Sequence, residues 1–132
     1  MQEITADVSW LGVIVGAIVA FLAGWLWYSP ALFGKKWAEG VGVELGSASA
    51  MPVGAMVSQV VALLLLSWLF GITAADNALL TIILVVLAIA AFIVSGGMFT
   101  RKSSYAVWTE AGYVVVAGIV MFIAQAVFRN VF

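Results

Sequence analysis

Glu110 is the only formally charged side chain inside any of the long apolar runs of this 132-residue chain. Tyr113 follows one turn along on the same helical face. Gln59 and Ser95, counted from the ends of two other apolar runs, reach a similar depth from the same side. An ionised carboxylate within a bilayer is expensive, so such a residue marks a functional site by default. Brought together, Glu110, Gln59, Ser95 and Tyr113 would form a site for a proton or a small cation, with proton uptake coupled to movement. The structural reading competes with this and is the stronger of the two. At roughly 8 Å from the start of its helix, Glu110 stays near the interface, where Arg101 or Lys102 can reach down along the helix end and pair with it. Gln125, near the opposite end of the same run, reads as interhelical glue through its amide.

Beyond these groups the chain has little to react with. It contains no Cys and no His, which removes disulfides, thiol nucleophiles, zinc sites of the usual ligands and Ser-His-Asp triads. No acid, base and nucleophile set is left for an enzyme, no cofactor or metal is expected, and catalytic residues are expected to be absent. Nucleic acid is excluded as a partner, because the five basic residues form no stripe.

The elements that must hold these groups follow from composition. Hydrophobic residues make up 66% of the chain and charged residues 8%, and mean hydropathy is +1.24, whereas a soluble domain is about 45–50% apolar and about 25% charged. The chain therefore belongs in a bilayer, with membrane lipids as its surroundings. Four runs, at 8–28, 53–71, 78–99 and 105–128, each approach the roughly 20 residues that cross about 30 Å of hydrocarbon. Their backbone groups must be paired within the segment, which makes them helices, and none alternates as a β-barrel strand would. The expectation is one all-α domain over 1–132, a bundle of four antiparallel transmembrane helices. Asp7, Asp76 and Ser103 or Ser104 suit the N-caps of the first, third and fourth helices, and Pro52 the first turn of the second. The 72–77 and 100–104 connections are short enough to set neighbouring helices side by side.

The long connection holds Leu32, Phe33 and Trp37 among Lys35, Lys36 and Glu39, the pattern of a short helix over about 30–39 lying in the headgroup layer. Trp27, Tyr28 and Trp37 anchor it, with Lys35 and Lys36 in water, and Pro30 stops the first helix from continuing. The Gly-, Ser- and Ala-rich 40–50 stretch reads as an irregular loop. Lys35 and Lys36 share a face with Arg101 and Lys102, which the positive-inside rule makes cytoplasmic, so both termini are expected on the other side. The N-terminus, with Glu3 and Asp7, lacks the positive region of a cleavable signal.

Packing cues come from small residues. Gly12, Gly16, Ala20 and Gly24 recur every fourth position along the first helix, a stripe that lets a second helix approach to backbone contact. It serves either a dimer interface or the inside of the bundle, with equal support. Gly54, Ser58 and Ala62 form a shorter version on the second helix, and Ala91 and Ser95 another on the third.

Trp27-Tyr28-Ser29-Pro30, followed by Leu32-Phe33-Gly34-Lys35 and Trp37, resembles the signature of an uncharacterised bacterial membrane-protein family, domain of unknown function 1761. Ala111-Gly112-Tyr113 is similar to a step in that family's last helix, where an Asn or Asp commonly precedes and a His follows; here those positions hold Glu110 and Val114. The resemblance covers essentially the whole chain. It implies four spans, a long first loop and the bacterial cytoplasmic (inner) membrane, but no activity. The resulting expectation is a small non-catalytic membrane protein acting by helix packing, as a homo-oligomer or an accessory subunit of a larger membrane complex. A small transporter or channel, with a polar path around Glu110, is the alternative.

Overall fold

The first helix starts where a side chain can satisfy its leading amides. Ser9 precedes α1 (Trp10–Trp27) and its hydroxyl accepts the Gly12 N–H at 3.3 Å, taking one of the donors that the first turn leaves without a partner. Asp7 is not the cap: it stands two residues too early, in a turn with φ 60°. Four more helices follow, α2 (Gly34–Val41), α3 (Val53–Ala75), α4 (Leu79–Phe99) and α5 (Ser104–Phe128). The structure, a computed structural model, describes residues 5–29, 32–41 and 53–128. Pro30, Pro52, Glu3 and most of the 40–50 loop lie outside the described residues, although Gly40 and Val41 continue α2.

Four of the helices are long and apolar enough to cross a membrane, and no strand occurs among the described residues. The fold is thus an all-α antiparallel bundle of four transmembrane helices, with α2 as the short interfacial helix after the first span. The second span runs one turn beyond expectation because Ile72–Ala75 remain helical, which narrows the turn before α4 to residues 76–78.

Both short connections end a helix in the same way. Asn77 and Arg101 take positive φ, 54° and 60°. The next amide then reaches back five residues, from Ala78 to the Thr73 carbonyl at 2.8 Å and from Lys102 to the Gly97 carbonyl at 3.0 Å. This is the Schellman closure. Asp76 is therefore part of a helix stop; the N-cap of α4 is Ala78, without a side-chain bond. Ser103 does cap α5, its hydroxyl accepting the Ala106 N–H at 3.1 Å.

α5 is the centre of the bundle. α1 and α4 pack on it, α3 packs mainly on α1, and α2 lies across its first turns. α3 and α4 are consecutive but touch little, so the short hairpin does not keep them side by side along their length. Ala17, Ala20, Leu66, Phe70, Ala117 and Met121 are among the buried core residues. The stripe on α1 is consumed here. Gly12 faces the Gln125 amide, Gly16 faces Ser67 and Ala124, and Gly24 faces the Tyr113 ring, each so closely that a Cβ would stand 2.8 Å from its nearest neighbour. Gly12, Gly16, Ala20 and Gly24 thus serve packing inside the bundle. Gly54, Ser58 and Ala62 on α3 face outward, as do Ala91 and Ser95 on α4. Within the Gly96–Gly97 pair, α4 continues unbroken, Gly97 lying against Val107 and Gly96 open to the outside.

Candidate functional site

The site lies at the lysine-bearing end, where the elbow after α1 folds onto the start of α5. The Ser29 carbonyl accepts two amides that wind the chain around, from Leu32 at 3.1 Å and from Gly34 at 2.9 Å. Gly34 is required at this bend, since a Cβ there would overlap the Tyr28 carbonyl oxygen. The turn drops Phe33 and Trp37 inward and leaves Lys35 and Lys36 exposed, the expected division between anchors and lysines. Phe33 sits between Trp27 and Tyr105, at ring-centroid distances of 4.6 and 6.4 Å, while Tyr28 sits between Trp37 and Tyr113, at 4.8 and 5.6 Å. Lys36 lies over the Tyr105 ring, 5.4 Å from its centre. α2 is also held by its backbone, the Gly40 carbonyl accepting the Ser103 N–H at 3.2 Å.

Glu110 is the charge at the middle of this arrangement. Lys102 donates to its two carboxylate oxygens at 2.9 and 3.1 Å, and the Trp37 indole N–H donates to Oε2 at 2.8 Å. The ion pair is partly buried, the carboxylate more so than the ammonium. Of the two cations proposed from sequence, Lys102 is the one engaged. One turn beyond, the Tyr113 hydroxyl donates to the Ala20 carbonyl at 2.6 Å, with the Gln59 side chain nearby. The Trp27 indole donates to the Thr109 carbonyl at 2.9 Å. Trp37 thus joins α2 to α5, Trp27 and Tyr113 join α1 to α5, and Lys102 ties the α4–α5 connection onto α5.

The four-residue cluster expected from depth alone is only partly formed. Glu110, Tyr113 and Gln59 come to one side of α5, with Tyr28 between the carboxylate and the second tyrosine. Ser95 does not join them. It is exposed and lines an apolar groove between α4 and α5, with Trp108, Ala111 and Gly112 opposite. Equal depth left the rotation of α4 about its own axis undetermined, and that rotation turns Ser95 outward. Trp37 and Tyr28, read from sequence as anchors, are the residues missed as members of the site. The signal that could have found them is the pairing of an indole donor in an interfacial helix with a nearby carboxylate.

At the opposite end, Gln125 is 3% exposed, and neither its side-chain oxygen nor its side-chain nitrogen has a hydrogen-bond partner among the described residues. Among the described residues the interhelical hydrogen bond expected of it is not made, and the side chain packs against Gly12 and Gly71. Among the described residues no group of three or more acidic, His or Cys side chains could hold a metal.

A four-helix membrane bundle whose first helix ends in an aromatic elbow latched onto its last is the class this geometry defines. The chain belongs to the family described as protein of unknown function (DUF1761), which matches residues 11–126. Neither a curated protein nor a solved structure gives a match to the chain.

Proposed function

We propose that the protein is a non-catalytic integral membrane protein of the bacterial cytoplasmic membrane that works by helix packing, as a homo-oligomer or as an accessory subunit of a larger membrane complex. The observation that carries this reading is the state of Glu110: the only charge within a span is held by Lys102 from the α4–α5 connection and by the Trp37 indole, which staples α2 to α5. A carboxylate so engaged serves architecture. Lys35, Lys36, Arg101 and Lys102 all lie at the elbow end, which supports a cytoplasmic location for that end and termini on the other side. The outward stripe of Gly54, Ser58 and Ala62 on α3 supplies a face for a second transmembrane helix, since among the described residues nothing from another element lies within 4 Å of where a Gly54 Cβ would stand.

Purification from the native membrane in mild detergent, with wild type beside Ser58→Leu, tests this. A defined oligomer or co-purifying membrane subunits, diminished in the variant, is the expected result; a solitary monomer in both preparations would overturn it. The transport reading draws on Tyr113, whose hydroxyl faces both Gln59 and Ala20. Proton release or cation flux in liposomes that disappears in Glu110→Gln, with folding intact, would establish that reading instead.

A further inference from the structure

The groove between α4 and α5 has a volume of about 860 Å³, inside the roughly 300–1,000 Å³ typical of ligand sites. Its lining is apolar except for Ser95, with small residues on both sides, Ala91 on α4 and Gly112 on α5. On α4 it extends from Phe99 to Leu87 and on α5 from Trp108 to Val115. Twelve helical steps cover about 18 Å, close to the roughly 15 Å depth of one leaflet's hydrocarbon. Beyond Leu87 the seam is shut, with Ile82 buried and Val86 lying against Gly118. The groove thus opens at the lysine-bearing surface and stops near the midplane. A docked transmembrane helix would need no such stop, whereas a single acyl chain fits it.

A cation stands just past the lysine-side end of the groove's α4 wall. Arg101 is exposed, two residues beyond Phe99, and has no ion-pair partner among the described residues, while Lys102 is taken by Glu110. The start of α5 adds the positive end of a 25-residue helix at the same level. Trp108, 65% exposed on the groove's rim, is the amphipathic ring expected where chain meets headgroup. We infer that this groove binds one anionic phospholipid from the leaflet on the lysine side, one of its two acyl chains between α4 and α5 and its phosphate at Arg101. Lipid binding here does not require the oligomer or complex proposed above; it requires only that this groove is not itself a seam between copies.

The test uses the full chain purified in mild detergent, titrated with phosphatidylglycerol or phosphatidylcholine of identical acyl chains, with retention read by native mass spectrometry. Wild type retains one phosphatidylglycerol in preference to phosphatidylcholine. Arg101→Gln erases most of that preference, about five-fold for the loss of one interfacial cation. Ala91→Phe fills the groove and abolishes retention of both lipids. Ser95→Leu, also on an exposed position, repeats that result should Ala91→Phe not fold. Equal retention of the two lipids by wild type, or retention unchanged in both groove variants, overturns the proposal. So does displacement by free glycerol phosphate at equal concentration, which would assign the site to the phosphate alone. A dimer that Ala91→Phe splits would give the groove to a second copy and equally sink the assignment.

Discussion

The two ends of the bundle treat buried polarity in opposite ways. At the elbow end, Glu110, Lys102, Trp37, Trp27 and Tyr113 are hydrogen-bonded across elements. At the other end Gln125 is buried with both amide atoms unpaired among the described residues. In hydrocarbon an unpaired polar group has no water to fall back on, so the first arrangement fixes geometry and the second is a standing penalty. The difference bears on how α2 is held in place: it has few buried residues, Gly34 and Ala38, and depends on polar latches and on the ring contact of Trp37 with Tyr28, which itself packs on the core.

If this contrast is correct, the largest loss comes from breaking the elbow itself. Gly34→Ala places a methyl on the Tyr28 carbonyl oxygen, a backbone atom that cannot move aside. Thermal unfolding in detergent is expected to show a loss of about 3 kcal/mol or more. Unchanged stability of the Gly34→Ala variant would mean that the bend is loose. Next comes Glu110→Leu, which removes the bonds to Lys102 and Trp37. Hydrogen bonds to charged groups contribute about 1.5–3 kcal/mol, and the lower figure applies because Lys102 remains a third exposed. Ser95→Ala, on the lipid-facing side of α4, serves as the control and should change stability by less than about 0.5 kcal/mol. Equal effects at both positions would dissolve the distinction between latch and lining.

How much of this could be read from the letters depends on distance along the chain. The spans were legible because bilayer thickness fixes their length, and the cap of α5 was legible as Ser103 or Ser104 because both adjoin the helix start, the structure selecting Ser103. Asp7 and Ser9 both offer a capping oxygen two residues apart, and only the local turn selects Ser9. The Glu110–Lys102 pair was foreseeable, since the two lie within one helix entry. Trp37 was not, because its bond to Glu110 spans 73 positions and requires knowing that α2 folds over α5. Ser95 shows the limit of depth arguments, which fix height in the membrane but not the direction a side chain faces. The α3–α4 hairpin shows another: a short turn ties two helix ends together, while packing on α5 decides where α4 goes.

The unpaired end offers the reverse experiment. Gln125→Met keeps the length of the side chain and removes both orphaned atoms, so unfolding should shift in the stabilising direction, by about 1 kcal/mol, the lower bound for relief of a buried unsatisfied group. A loss of stability of that size would show that the amide has a partner after all and would erase the contrast between the two ends.

The smallest effect is also the most discriminating. Gly12→Ala brings a methyl within 2.8 Å of the Gln125 amide nitrogen, the flexible tip of a side chain. Alanine favours the helix over glycine by about 0.5–1 kcal/mol, and displacing the Gln125 tip opposes that gain, so the single variant should lie close to wild type. In a Gln125→Ala background the closest contact is gone, leaving Ser9 Oγ at 3.3 Å, and Gly12→Ala should recover much of the helix preference. The difference between the two backgrounds, about 0.5 kcal/mol or more, measures the contact between α1 and α5 directly. Identical effects in both backgrounds would mean that the α1 stripe is not seated on Gln125, and the outer half of the bundle would have to be packed in some other register.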